Sequence, residues 1–153
     1  MKLLQLLLAT VALLLVGCGG DDSGNAGDPT QRIYVLAASS GNASAASAGQ
    51  DLAVTLSGVE PEVDWYSDRP DRLTGDAKTQ DFVNTDWQRI YGDVAPNALL
   101  QFHMAGDVHG VFGSVRDVVY DSSARSLRLT LRVTRASDAV GAPAGSFTRP
   151  VLT

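Results

Sequence analysis

Sulfur and imidazole are both scarce in this chain of 153 residues. Cys18 is the only cysteine, so no disulfide can form within it, and His103 and His109 are the only histidines. There is no Gly-x-Ser-x-Gly elbow, no His-Glu-x-x-His pair and no Gly-rich phosphate loop. Their absence removes the commonest signatures of serine hydrolases, zinc proteases and nucleotide-binding enzymes. Basic residues are in the minority, 12 against 17 acidic ones for a formal net charge of −5, which excludes charge-driven attraction to nucleic acid or to anionic lipid headgroups. Long apolar runs are missing too. The longest, residues 3–16, is interrupted by Gln5 and Thr10 and falls short of the roughly 20 residues a helix needs to cross a bilayer.

That short run has a clear layout. Met1 and Lys2 give a positive start, the apolar stretch follows, and small Gly17 precedes Cys18 before the chain turns polar at Gly19, Gly20, Asp21 and Asp22. This is the arrangement of a secretory signal. Leu15-Val16-Gly17-Cys18 resembles a bacterial lipobox, which implies diacylation of the Cys18 sulfur, cleavage before it and acylation of the new amino terminus. Each buried methylene contributes about 0.8 kcal/mol, and stable anchoring takes about two chains, so multiple acylation of one cysteine suffices. A lone exported thiol has no disulfide partner, which fits that use of Cys18. Gly19, rather than Asp, after the cysteine resembles lipoproteins passed to the outer membrane of diderm bacteria. The expected location is therefore the cell envelope, with the membrane engaged through the lipid.

The expected organisation is a signal peptide over residues 1–17, a flexible tether over 18–31, a β-rich domain over 32–136 and a loose tail over 137–153. The tether is polar and has no apolar face. Residues 32–37 are β-branched and aromatic enough for a first strand, whereas residues 38–49 are almost wholly small and predict a loop. Leu52, Val54 and Leu56 alternate with Ala53, Thr55 and Ser57, and Leu127, Leu129, Leu131 and Val133 alternate with polar residues, both patterns of half-buried strands. Residues 62–66 resume an extended course. Thr79 is the expected N-cap of one amphipathic helix over 79–91, with Phe82, Val83, Trp87, Ile90 and Tyr91 on its apolar face and Gly92 as the stop. Trp87 is expected in the core. Residues 98–103 and 108–115 predict a hairpin turning at Ala105-Gly106-Asp107, with a bulge near Gly113. Residues 147–152 predict a last edge strand, where Pro150 is tolerated. Together these predict a mainly β fold, an antiparallel sandwich or barrel with one short helix.

Three groups of residues are candidates for chemistry. Trp65-Tyr66-Ser67-Asp68-Arg69-Pro70-Asp71-Arg72-Leu73-Thr74-Gly75, followed by Phe82, Trp87 and Pro96-Asn97-Ala98, resembles a set of secreted bacterial proteins of unassigned activity. They carry an aromatic-x-Ser/Thr-Asp-Arg-Pro-x-Arg-x-x-Gly motif, and the resemblance implies a shared domain over roughly residues 33–133. In physical terms, Asp68, Arg69, Asp71 and Arg72 can form an ion-pair network around a Pro turn, with Trp65 and Tyr66 as stacking planes. Such a cluster either offers a site for a carboxylate, phosphate or sugar or simply pins the turn.

His103 and His109 stand opposite each other if Met104 pairs with Val108. Cross-strand Cβ atoms then lie about 4.5–5.5 Å apart, and with Asp107 the two imidazoles make an incomplete Zn²⁺ or Cu²⁺ site against the three- or four-ligand standard. The many carboxylates between Glu60 and Asp93 leave open a glycosidase-like hydrolysis. The overall expectation is a lipid-anchored binding or envelope-structural module rather than an enzyme, with no cofactor and no nucleic-acid partner.

Overall fold

The computed structural model describes residues 32–44, 46–67, 72–136 and 144–153. The signal, the tether and Cys18 lie outside the described residues, as do Asp68, Arg69 and Asp71.

Eight antiparallel strands form one sheet: β1 (Arg32–Ala43), β2 (Asp51–Val59), β3 (Glu62–Ser67), β4 (Thr74–Lys78), β5 (Asn97–Met104), β6 (Asp107–Asp121), β7 (Ser126–Ala136) and β8 (Gly145–Leu152). Strand order is β2-β7-β6-β5-β8-β1, and β1 pairs back onto β2. Six strands thus close into a barrel, which leaves them no free edge. The fold is mainly β with one short helix, as the alternation and the turn spacing predict.

β3 and β4 extend the sheet outside the ring. β1 is long enough to serve both parts: its outer residues Arg32 to Val35 pair with β3, while Leu36 to Ala43 pair with β8. Period-two alternation fills the interior. Leu52, Val54 and Leu56 from β2 meet Leu127, Leu129, Leu131 and Val133 from β7, with Leu100 and Phe102 from β5 and Phe147 from β8.

The helical segment, α1, is continuous from 79 to 91 but not uniform. It is α-helix over Thr79–Asp81, π-helix over Phe82–Asp86 and α-helix again over Trp87–Tyr91. The Trp87 N–H reaches back five residues to the Phe82 carbonyl. Residues five apart then align, and the Phe82 and Trp87 rings meet edge-to-face at 5.8 Å. Gly92, at φ 53°, ends the helix with its N–H on the Gln88 carbonyl. Thr79 is not the cap. That position belongs to Lys78, which gives no side-chain bond, while Thr79 is fully buried and donates its hydroxyl to the Glu60 carbonyl at 2.7 Å.

Three local expectations fail for physical reasons, and one strand was not foreseen. Strand β1 continues through the small-residue stretch to Ala43 instead of ending in a loop, because the barrel interior there requires small side chains. A Cβ on Gly41 would overlap the Phe147 ring. β4 carries no sequence signal, being Thr-Gly-Asp-Ala-Lys, yet it pairs along all of β3 from Glu62 to Tyr66. β8 is no edge strand but sits between β5 and β1. Pro150 is accommodated because its neighbour Arg149 adopts φ 50°, where the β5–β8 register shifts between Gln101 and His103, and a bulge frees the strand from needing that N–H. Finally, the β5–β6 hairpin turns in two residues, Ala105 and Gly106, both with positive φ, so that Met104 pairs with Asp107. Ala-Gly mimics the usual Asn-Gly type I′ turn.

Candidate functional site: a helix-capped cavity

Helix α1 lies across one end of the barrel, against β6, without plugging it. Beneath it is a cavity of about 460 Å³. Its floor is barrel interior, with Leu36, Ala98, Val115, Leu127 and Leu152 reached from five different strands, and its roof is Phe82, Val83, Trp87 and Tyr91 from the helix. Tyr34 of β1 joins the two. Its ring stacks on Phe82 at 4.4 Å, and the series continues through Trp87 to Tyr91, the last pair 4.8 Å apart. Aromatic pairs at such separations stabilise by about 0.5–1.5 kcal/mol each beyond area burial, so the roof is held in one arrangement while the space below stays open.

Arg32 is the one charged side chain among the described residues that line it. Its guanidinium lies 3.9 Å from the centre of the Trp65 ring and donates to the Tyr34 hydroxyl. The Trp65 indole also covers Gly75, its partner across β3 and β4, where an added Cβ would come within 2.6 Å of the ring. The first and last residues of the aromatic-to-Gly motif are therefore a stacked cross-strand pair. Arg32 packs on the Trp65 ring of that pair.

Burial raises the Tyr91 phenol to about 12 and also raises that of Tyr34, the latter opposed by the Arg32 charge. Both folded values exceed the unfolded one, so their contribution is fully present below about pH 10. It is lost as the pH rises through the folded values. Unfolding midpoints should hold steady to pH 10 and fall between 10 and 12, in step with phenolate absorbance at 295 nm. A midpoint unchanged across that window would contradict the buried environment of Tyr91.

The residues singled out from sequence fall in different places. Trp65 and Tyr66, adjacent in β3, face opposite sides: Tyr66 lines the cavity and Trp65 stands behind Arg32. Arg72 is exposed, with φ 47°, and its neighbour Leu73 bonds Ser67 twice, accepting from the Ser67 backbone N–H and donating to the Ser67 hydroxyl oxygen. Asp68, Arg69 and Asp71 lie outside the described residues.

The hairpin register separates the histidines. His103 pairs with Val108 and His109 with Phe102, so His103 points outward while His109 stacks on the buried Phe102 ring at 5.6 Å. The facing arrangement that a shared metal needs is not formed. Among the described residues no group of three His, Cys, Asp or Glu could hold an ion. The described carboxylates between Glu60 and Asp93 are also elsewhere, since none of them lines the cavity.

Sequence reasoning assigned the aromatic face of α1 to core packing and missed the space under it. The available signal was three aromatic rings, Phe82, Trp87 and Tyr91, on one short helix, of which only Phe82 is buried. No protein-family model, curated protein or solved structure matches this chain.

Proposed function

We propose that the chain is an extracytoplasmic binding module, anchored to the envelope by acylated Cys18, whose helix-capped cavity holds one small apolar molecule or acyl chain. The cavity carries this reading. Its volume of about 460 Å³ falls in the usual range for small-molecule sites, about 300–1,000 Å³, and its lining has the usual make-up of apolar and aromatic walls with few polar groups. A closed barrel gains nothing in stability from an unfilled end, because void-lining atoms lose dispersion contacts that packing would supply. The lipobox and the acidic charge support envelope placement through lipid rather than through a basic surface, and Gly19 supports the outer membrane.

The test uses residues 19–153 and the dye N-phenyl-1-naphthylamine, which brightens in apolar surroundings. Saturable one-to-one binding is expected, displaced by fatty acids, with the affinity at least tenfold weaker in Ala98→Phe, which fills the floor. Folded protein that gives no saturable signal would leave an envelope-structural role as the better reading.

A further inference from the structure

We propose that the mouth of this cavity docks on the bilayer and that the ligand is one acyl chain of a membrane phospholipid, an inference that rests on the binding reading above. The cavity opens between two walls. One is β1, whose residues 32–35 run alongside β3 beyond Leu36, the last residue it pairs with β8. The other is β5, whose Leu99 exchanges backbone hydrogen bonds with Thr153. The cavity passes outward between these two walls, because outward-facing residues of both line it.

Each lip carries a cross-strand apolar pair: Ile33 with Tyr66 on one side, Leu99 with Phe112 on the other. These four alternate with the inward residues Tyr34, Leu36, Ala98 and Leu100 and so face away from the barrel axis. Ile33 is 41% exposed, Tyr66 42% and Phe112 40%. Large apolar side chains gathered at a cavity mouth, rather than scattered singly, mark a surface that meets another apolar phase.

The position of the anchor names that phase. The chain from acylated Cys18 joins the fold at Arg32, next to Ile33 on the lip. Residues 18–31 can span at most about 50 Å even fully extended, at about 3.3–3.6 Å per residue. An acylated Cys18 thereby keeps the mouth near the bilayer. Tyr66 is the residue type that settles at headgroup level. Arg135, the cross-strand partner of Phe112, places a guanidinium beside the lip where a phospholipid phosphate would lie.

The acylated mature protein in phosphatidylcholine vesicles provides the test. The background is Trp65→Phe, which leaves Trp87 in the cavity roof as the sole tryptophan. Replacing the vesicle lipid by its dibrominated-acyl form should quench Trp87 by at least half. Ala98→Phe should abolish the quenching. Ile33→Asp combined with Phe112→Asp should reduce it severalfold while leaving quenching by water-soluble brominated octanoic acid intact, which also shows that the double variant is folded. Unchanged bromolipid quenching in the double variant would overturn the docking inference and leave the binding reading standing. Quenching by octanoic acid but not by bromolipid in the parent would do the same. Bromolipid quenching that survives Ala98→Phe would put the lipid outside the cavity, and no quenching by either reagent would remove both readings. Self-association of the solubilised protein that Ile33→Asp abolishes, with no lipid quenching, would assign the lips to a second copy and overturn the proposal.

Discussion

Cys18→Ala, placed behind an ordinary cleavable signal, is expected to move the protein quantitatively from the membrane pellet to the soluble extracytoplasmic fraction and to abolish incorporation of labelled palmitate. Each acyl methylene contributes about 0.8 kcal/mol, so one chain holds a protein only reversibly and two or more hold it for practical purposes permanently. Nothing else in the composition replaces that hold. The net charge is −5, and among the described residues no helix is long and apolar enough to cross a membrane. The apolar lips at the cavity mouth cover far less surface than two acyl chains and should give at most transient contact. A variant without label that still pellets with the membrane would show that the anchor is not the lipid.

The second large effect concerns the barrel. Gly113→Ala is expected to destabilise the fold by about 3 kcal/mol or more, beyond the usual cost of overpacking, lowering the unfolding midpoint by about 10 °C for a domain of this size. Gly113 lies where the β6–β7 register shifts, and a Cβ there would overlap the Arg132 carbonyl oxygen, approach its carbon to 2.9 Å and touch Leu131 at 3.2 Å. A backbone carbonyl in the neighbouring ladder cannot turn aside as a side chain can. Gly110, on the same strand, supplies the control. Its added Cβ would make only an ordinary contact with Leu99 at 3.7 Å, and Gly110→Ala should stay within about 0.5 kcal/mol of the parent, as surface substitutions usually do. Equal effects at the two positions, read from thermal melts, would contradict the register of the barrel.

The contrast between those glycines also shows which features sequence could disclose. β2, β7 and the helix were legible because a half-buried element writes its period directly into the chain, as Leu127, Leu129, Leu131 and Val133 do. The second half of β1 was not. Its small residues make room for Phe147 and Leu56, which lie adjacent only once the barrel has closed. β4 was hidden for a related reason, since Gly75 is chosen by the Trp65 ring that covers it rather than by strand propensity. The histidine register turned on a single residue. Ala105 taking a left-handed conformation shortened the turn by one position, and a shift of one sends a side chain to the other face. The cavity was the least visible feature, because apolar residues lining a void and apolar residues filling a core have the same periodicity.

Of the expected site, Tyr66 reaches the cavity and Trp65 supports Arg32 at its wall. Trp65 and Gly75, the first and last residues of the aromatic-to-Gly motif, thus pack against each other beside Arg32. The rings of Tyr34, Phe82, Trp87 and Tyr91 pack in series along the cavity roof.

Native mass spectrometry of the mature protein, released gently from its membrane, tests the binding claim most directly. The account predicts one non-covalently held lipid-sized adduct per chain, present on the parent and absent from Ala98→Phe at equal folded yield. Parent protein that flies bare, and stays bare after incubation with phospholipid or fatty acid, would contradict it.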